Sequence, residues 1–550
     1  MLRIGVMLDS WTTSAWVEAV LQDIQNSSFA QVGLVILNTP VPPRRLTWLQ
    51  RIQGYWKFGL FNRYQAWDAR RHNTEPNARA SRDVRGLLAG AKVLIVEPLR
   101  KGFTDRFSEK DLEAIHVENL DVIFRFGFRI IRGDILNCGR YGVWSFHHGD
   151  NREYRGAPPL FWEIYERNPV SGTVLQILTD SLDGGHVIYR GHSATDLLSL
   201  QSNRNAIYWK TAEFALRRLR QLYERGWDYI QSLETYNESE PYQRRIYKTP
   251  HAGQMAAFLS MVEMRKVKKK LHSVMNGTEV QWFIATRRRS PERRFDEASG
   301  YRIIRPPNDR FYADPLLIEK NGKTWLFLED YRYADRRAVI SCAEISVDGS
   351  IGEPIEVLRR PYHLSYPFLF EHCGEMYMIP ETKQNQTVEL YRAVSFPYQW
   401  VLERVLMESV FAVDCTLHED SGKFWLFTGL SNGRYSNCDE LALFFADSPF
   451  GPWKLHPQSP VVADVRRARP GGAIFRDNRQ LIRPSQDCSK AYGYALCFSE
   501  ITVLNEMEYQ ERLCGRIEPH WVKCNLGTHT YTRSRELEAI DGNFLKRGKG

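Results

Sequence analysis

Two sets of side chains in this sequence have the types and spacing for chemistry. The first lies between Tyr141 and Arg190. Residues Gly142–His147 alternate small or polar side chains with large ones, as a strand does. Ser145 and His147 then share one face, and Trp144 and Phe146 the other. His148, Gly149, Asp150 and Asn151 end the strand with turn formers. Gly172–Leu178 reads as a second strand, and Asp183 sits in a Leu-Asp-Gly-Gly turn before Val187, Ile188 and Tyr189. Active sites of open α/β sheets lie at the carboxyl ends of strands, where His147 and Asp183 both fall. The second set is a series of acids in the other half of the chain, Asp314, Glu381 and Asp414 among them. Two or three carboxylates around one pocket can supply the acid and base of glycosidic-bond chemistry.

The elements that must position the first set are legible. Leu2–Leu8, Gln31–Leu37, Lys92–Val96 and Asp121–Phe126 read as buried strands, and Ser14–Ile24 as an amphipathic helix. Ser108 to Asp111 cap a helix between the last two strands. Pro158 and Pro159 suit the first turn of a further helix, continued by Leu160–Tyr165. Strands alternating with helices predict an α/β fold built on a doubly wound parallel sheet. No GxGxxG or GxxxxGK[ST] loop is present, which disfavours a dinucleotide or ATP enzyme. Between residues 40 and 85 a basic, aromatic insert (Arg44, Arg45, Trp48, Arg51, Tyr55, Trp56, Phe61, Arg63, Tyr64) reads as a surface excursion over the sheet.

The order of these features resembles the catalytic half of the folate-dependent formyltransferases. The carriers are the strand-end His147, the Tyr154-Arg155-Gly156 turn before the prolines, the second strand, and Asp183. The resemblance spans residues 1–230 and implies a Rossmann-type sheet. It further implies that an amine attacks the formyl carbon of 10-formyltetrahydrofolate. His147 would stabilise the oxyanion and help move protons, and Asp183 would hold that His charged and oriented. Preorganised donors of this kind are usually the largest catalytic term. Phe126, Gly127 and Phe128, in the turn where the family's folate loop follows its strand, and Tyr154 and Arg155 would hold the formyl donor. Ser145 stands where the family has an oxyanion-donating Asn, and the usual Pro-Ser-Leu-Leu-Pro stretch after the His is absent. Losing one such donor costs about 10²–10³ in rate. Asn151 and His148 are alternative donors. Two readings stay open: an active site, or the same fold kept as a binding module.

At 550 residues the chain is long enough for two sizeable cores. Residues 1–235 form the α/β domain, 236–280 a basic helical linker, 281–527 a second domain, and 528–550 a polar tail. The net charge of +9 is modest, and much of the clustering lies in Arg265–Lys270 and Arg287–Arg294, so a nucleic-acid partner is not favoured. Residues 255–274 set Met255, Phe258, Leu259, Val262 and Leu271 against Arg265, Lys266, Lys268, Lys269 and Lys270. That pattern suits a helix packed between domains or a peripheral contact with an anionic membrane. No run is long enough to span a bilayer, and no signal-peptide pattern opens the chain. Nine scattered cysteines without a CxxC pair read as thiols in a reducing cytoplasm, with no metal expected.

From Trp282 onward, strand pairs recur at a period near ~50 residues, as in a β-propeller. Four pairs begin at Ala313, Tyr366, Val413 and Pro470; Trp282–Ala285 and strands after Tyr492 would close a fifth blade. This half resembles the five-bladed propellers of arabinanase and β-xylosidase type glycoside hydrolases. It is closer to the propeller domain of plant glucosamine inositolphosphorylceramide transferases, through FYADP, MIPE with ELYRA, VDCTL with WLFTG, and RPGG with LIRPSQD. In such a propeller Asp314, Asp414 and Arg469 converge on the channel, with Glu329, Glu381, Arg483, Gln486 and Asp487 at its rim. The hydrolase order Asp, Asp, Glu is broken here, since Glu381 precedes Asp414 and Arg469 takes a later inner position. Sugar binding or glycosyl transfer replaces hydrolysis as the expectation, against blade-entry aspartates that merely bridge backbone amides.

The combined expectation is formyl transfer from 10-formyltetrahydrofolate to an amino sugar, or a nucleotide-sugar or glycan acceptor, in surface-glycan assembly. Its location would be the cytoplasm or the inner membrane face. The alternatives are a glycan-active propeller with a degenerate formyltransferase-like domain, and a non-catalytic scaffold in polysaccharide assembly.

Overall fold

The computed structural model describes residues 1–39, 47–72, 74–181, 184–233, 242–276 and 279–546, with side chains except those of 49–57 and 272–276. The chain divides into two compact units, Met1–Lys266 and Val267–Gly550.

In the first unit, strands β1 (Leu2–Leu8), β2 (Ala30–Asn38), β3 (Lys92–Val96), β4 (Val122–Arg125), β5 (Val143–His147), β6 (Val170–Ile177) and β7 (His186–Ala194) form one sheet. Its order is β7-β6-β5-β4-β1-β2-β3. The run from β5 to β3 is parallel, as the near-continuous apolar runs of these strands require of a sheet covered on both faces. β6 and β7 are antiparallel. A short turn joins β6 to β7, and a parallel return would need a longer crossover.

Helix α1 (Ala15–Asn26) buries Val17, Val20, Leu21 and Ile24. The insert is not a surface excursion. Its described part includes helix α2 (Trp48–Arg71), whose Phe61 and Tyr64 are buried with Phe161 and Phe258. Asp68 of that helix accepts from Gln201 N at 2.7 Å and Ser199 Oγ at 3.2 Å. It thereby caps helix α5, after α3 (Glu109–His116) and α4 (Trp162–Glu166). Ser108 caps α3 as expected, accepting from Asp111 N at 3.2 Å. α4 starts later than the prolines suggest, because Leu160 takes a left-handed φ of +63°. α5 covers Leu200–Ser232 with a non-helical residue at Gly226, φ +80°.

Within residues 236–280, helix α6 covers Ala252–Asn276, and the division between units falls within it. Met255, Phe258 and Val262 are buried in the first unit, so most of the apolar stripe of this helix is covered. Leu271 is exposed.

The second unit is a β-propeller, with five four-stranded antiparallel sheets among the described residues. The first begins with Arg310–Lys320, the second with Ser365–His372, the third with Phe411–Asp420 and the fourth with Phe475–Asp477. The closing sheet combines Arg302–Ile304 and Glu279–Arg288 with Leu537–Lys546 and Tyr531–Arg533. Residues 528–546 of the expected tail are therefore part of the propeller. Their alternation of apolar and polar residues completes a sheet with the unit's first strand, paired from Glu279↔Lys546 to Arg288↔Leu537. Arg287, the first residue of the Arg287–Arg294 basic run, is buried and donates to Glu538 Oε2 at 2.6 Å across this pairing. The strands after Tyr492, Ala495–Leu504 and Tyr509–Ile517, instead complete the fourth sheet.

The first strands of the first three sheets carry the same irregularity, between Ala313 and Leu316, Ser365 and Phe368, and Val413 and Thr416. Asp314, Tyr366 and Asp414 sit there at φ +49°, +42° and +53°. A bulge re-aims its residue out of the ladder, and here it directs these side chains inward, where all three are buried.

Deleting residues 528–550 is expected to abolish cooperative folding of the second unit. Circular dichroism melts and limited proteolysis of the full and truncated chains check this.

Candidate functional sites

The first site lies at the carboxyl end of β5. His147 Nε2 is 2.8 Å from the carbonyl oxygen of Tyr154. A carbonyl only accepts, so Nε2 carries the hydrogen and the ring is held by the following loop. Gly149 permits this wrap: a Cβ there would lie 2.9 Å from Tyr154 O and 3.1 Å from His147 Nε2. Ser145 is buried and its Oγ accepts from Arg125 Nε at 3.1 Å. Arg125, paired in register with Ser145, also donates through Nη1 to the carbonyls of Phe128 (3.3 Å) and Arg129 (2.8 Å). One guanidinium thus ties the serine to the turn after β4. Sequence reading missed Arg125; a cation at the end of an otherwise apolar strand beside Ser145 was its signal.

The turn itself is backbone-built. Phe126 N and Gly127 N donate to Met7 O, and Phe128 N to Asp9 Oδ1 at 2.7 Å. A Cβ on Gly127 would meet Asp9 N at 2.4 Å. Phe128 is at φ +64° with its ring buried against Phe107, so it has a core role rather than a ligand face. Phe126 packs against Trp16 and Phe146. Tyr154 is buried, its hydroxyl donating to Glu166, and Arg155 stacks on Tyr242 and donates to Asn151 O at 2.7 Å. Both act as staples of the loop. Asp183 lies outside the described residues.

Both alternative oxyanion donors are held in place by neighbours. Asn151 Oδ1 accepts from Arg190 at 3.0 Å. His148 is wedged between Tyr208 and Trp16. Burial, helped by His147, pushes it down to about 3, so it is neutral at physiological pH. Asp150 bonds to Arg190 (2.6 Å) and His192 (3.1 Å). Against the opposing push of burial, they hold its carboxyl well below the usual range. Glu163, also unforeseen, is buried and pushed up to about 8 by desolvation. Beside this loop opens a cavity of about 1000 Å³ lined by Phe103, Ile130, Gly156, Trp162, Arg245 and Tyr247.

The second site lies within the propeller. Arg469 donates to Asp414 through Nε (2.6 Å) and Nη2 (3.1 Å), and to Glu381 Oε2 at 3.4 Å. Gln486 Nε2 adds a bond to Asp414 Oδ2 at 2.7 Å. Tyr492 lies under the Arg469 guanidinium, 5.0 Å from ring centre to Cζ. Beside this group, His529 Nδ1 is 2.5 Å from Asp541 Oδ2 and Nε2 is 3.6 Å from Asp314 Oδ1. Burial alone would lower His529, but Asp541 and Asp314 keep it above its usual range. Trp282 stacks on its ring at 4.1 Å. Asp314, His529 and Asp541 have the spacing of three metal ligands. His529 N and Thr530 N also donate to Asp541 Oδ1, and Thr530 Oγ1 donates to Asp314 at 2.8 Å.

Asp314, Glu381, Asp414 and Arg469 gather in one charged cluster, with His529 and Asp541 as members that sequence reading assigned to the tail. Arg483 does not belong to it. It is buried against Glu511 at 2.8 and 2.9 Å and the carbonyl of Arg467. Asp487 pairs with Arg516 at 2.7 Å. Burial first and the Asp414 charge second push Glu381 up to about 8. Burial and the neighbouring Asp314 push Glu329 well above its usual range.

Sheet order and sites define a two-unit protein, a formyltransferase-like α/β unit followed by a β-propeller. The family model for the N-terminal region of glucosamine inositolphosphorylceramide transferase 1 matches residues 304–535. The rice (Oryza sativa subsp. japonica) protein of that name is 35% identical over 206 residues, 36% of this chain and 27% of its own length. Methionyl-tRNA formyltransferase of Synechococcus sp. (strain WH7803) is 29% identical over 109 residues, 20% of this chain and 31% of its own. The chain thus spans less than a third of either relative. The solved RS223 β-xylosidase is 16% identical, covering 39% of this chain and 81% of that one, with a TM-score of 0.29.

Arg469→Met leaves Asp414 buried without its cation and is expected to destabilise the propeller by about 3–5 kcal/mol in denaturant unfolding. The raised Glu381 and His529 both bind protons more tightly in the folded state. Their stabilisation is full below the unfolded-state values and is lost as pH rises through the folded ones, for Glu381 about 8. Glu381→Gln is therefore expected to flatten the fall in melting temperature between acidic pH and that value, read by calorimetry across pH.

Proposed function

We propose that this protein transfers a formyl group from 10-formyltetrahydrofolate to the amine of an amino sugar in surface-glycan biosynthesis. The observation that carries the reading is His147 at the carboxyl rim of the parallel sheet. Its ring is fixed by Tyr154 O and the facing turn is fixed through Arg125 and Ser145. The names of the partial relatives support it from both sides, a formyltransferase for the α/β unit and a glucosamine-lipid transferase for the propeller.

In the proposed reaction the amine nitrogen forms a bond to the formyl carbon, and the bond from that carbon to the folate nitrogen breaks. The proton lost by the amine goes to the departing nitrogen. With its Nε2–H held by the carbonyl of Tyr154, the ring of His147 is the proposed carrier of that proton. Ser145 accepts from Arg125 and keeps its own hydroxyl hydrogen for the developing oxyanion. Charge-assisted hydrogen bonds are about twice as strong as neutral ones, and Arg125 beside Ser145 offers that compensation for the amide absent from this position. The cavity beside Gly156 and Trp162 is the proposed place of the donor's ring system, and the propeller cluster the proposed glycan site. No helix among the described residues is long and apolar enough to cross a membrane.

A second reading rests on the Arg469 cluster. Glu381, protonated at neutral pH, and the Arg469-paired Asp414 form an acid and carboxylate that would serve glycan chemistry in the propeller alone.

Calorimetric titration with a stable 10-formyltetrahydrofolate analogue separates the two. Under the formyl-transfer reading, wild type and His147→Asn both bind it, and the variant loses formylation of amino-sugar acceptors by at least about 10²-fold. Absence of binding by the wild type would overturn that reading and leave the propeller as the reactive site.

A further inference from the structure

Helix α6 carries two apolar stripes, and the fold covers one of them. Met255, Phe258 and Val262 are buried, and Leu259 packs beside them. Met264, Val267 and Leu271, three and four residues apart, share the opposite face of the same helix, and each is more than half exposed. The helix is held against rolling to hide them. Arg265 donates through Nη1 to Leu197 O at 2.8 Å and through Nη2 to Ile164 O at 3.2 Å. The Phe258 ring packs against those of Tyr64 and Phe161, and a roll would bring it into water. Lys266 is anchored too, 5.1 Å from the Trp67 ring centre and 2.7 Å from Glu263. Lys268 and Lys270 fall on opposite flanks of the exposed stripe, and these two and Lys269 are all exposed. Glu263 is the only acid in Ala252–Asn276, and Lys266 meets its charge.

We propose, independently of the formyl-transfer reading, that this face of α6 docks on the surface of an anionic lipid bilayer. Met264, Val267 and Leu271 enter the boundary between headgroups and acyl chains, and Lys268, Lys269 and Lys270 meet the lipid anions. A helix lying in the plane of the interface has this arrangement, an apolar stripe with cations along its flanks. Lysine suits the flanks, because its stem lies along apolar surface while the ammonium reaches the headgroups.

Charge and apolar surface together select the occupant. A nucleic acid would match the lysines and leave the three apolar side chains in water. An apolar protein groove would cover those side chains and leave the lysines without anions. An anionic bilayer answers both. From Met264 to Leu271 the stripe runs about 10 Å along the helix, so the contact is peripheral, and this helix is not apolar enough to cross a bilayer. Each lysine near an anionic surface strengthens partition by about five-fold.

The test is flotation of the full chain with vesicles of phosphatidylcholine alone and of phosphatidylcholine mixed equally with phosphatidylserine, at low and high salt. Binding is expected to the mixed vesicles and not to phosphatidylcholine alone, and it should weaken as salt screens the lysines. Replacing Lys268, Lys269 and Lys270 together by Gln is expected to lower partition by about 100-fold. Replacing Met264, Val267 and Leu271 together by Ser is expected to lower it by at least about ten-fold while leaving its salt dependence. Replacing the exposed Arg288, Arg289 and Arg479 by Gln removes the same net charge outside the helix and should leave binding at the wild-type level. All three variants alter exposed side chains and should keep the wild-type melting temperature. Absence of binding to the mixed vesicles would overturn the proposal, as would binding that the lysine variant keeps and the arginine variant loses. Self-association in sedimentation velocity that the serine variant abolishes, without vesicle binding, would assign this face to a second copy of the chain and likewise overturn it.

Discussion

The second unit depends on one pairing. Glu279–Arg288 opens it and Leu537–Lys546 nearly ends it, and the two hydrogen-bond along their full length. Every other sheet of the propeller is made of consecutive strands, so each forms locally. Among the described residues of the propeller, only this sheet joins distant parts of the chain, and it removes the edge that an open series of sheets would leave. The buried Arg287–Glu538 pair within it is costly to break. His529, Thr530 and Asp541, which complete the charged cluster, come from the same returning segment. Closure and site assembly are therefore one event.

Compensation of buried charge is the second organising constraint. Arg469 sits between Asp414 and Glu381, and His529 between Asp541 and Asp314. Carboxylates outnumber cations in this cluster, and the surplus appears as raised proton affinity at Glu381 and Glu329. The α/β unit shows the same balance at Asp150, with Arg190 and His192 beside it. Polar groups gathered at strand ends under such constraint are where ligand chemistry is ordinarily found.

Both folds were legible because their signals are periodic. Apolar runs at β1, β2 and β4 and the recurring strand pairs after Trp282 are local patterns, and local pattern largely selects fold class. Boundaries were less legible. The apolar face of α6 reads equally as membrane-seeking or core-seeking, and only the presence of Phe161 and Tyr64 against Phe258 decides between them. The final strands read as polar because the closing sheet buries Glu538, Asp541 and Asn543 with partners far away in sequence.

The candidate sites divide in the same way. The sequence by itself determined the residue types at strand ends: His147 after an alternating strand, and Asp314 and Asp414 at the entries of repeated strand pairs. Tertiary structure alone decided which of these act together. Arg125 joined Ser145 through a parallel register, Arg483 left the cluster for Glu511, and His529 entered it. The physical reason is reach. Hydrophobic period and turn chemistry act over a few residues, whereas hydrogen bonds and charge pairing act over a few ångströms, between groups that only the folded chain brings together.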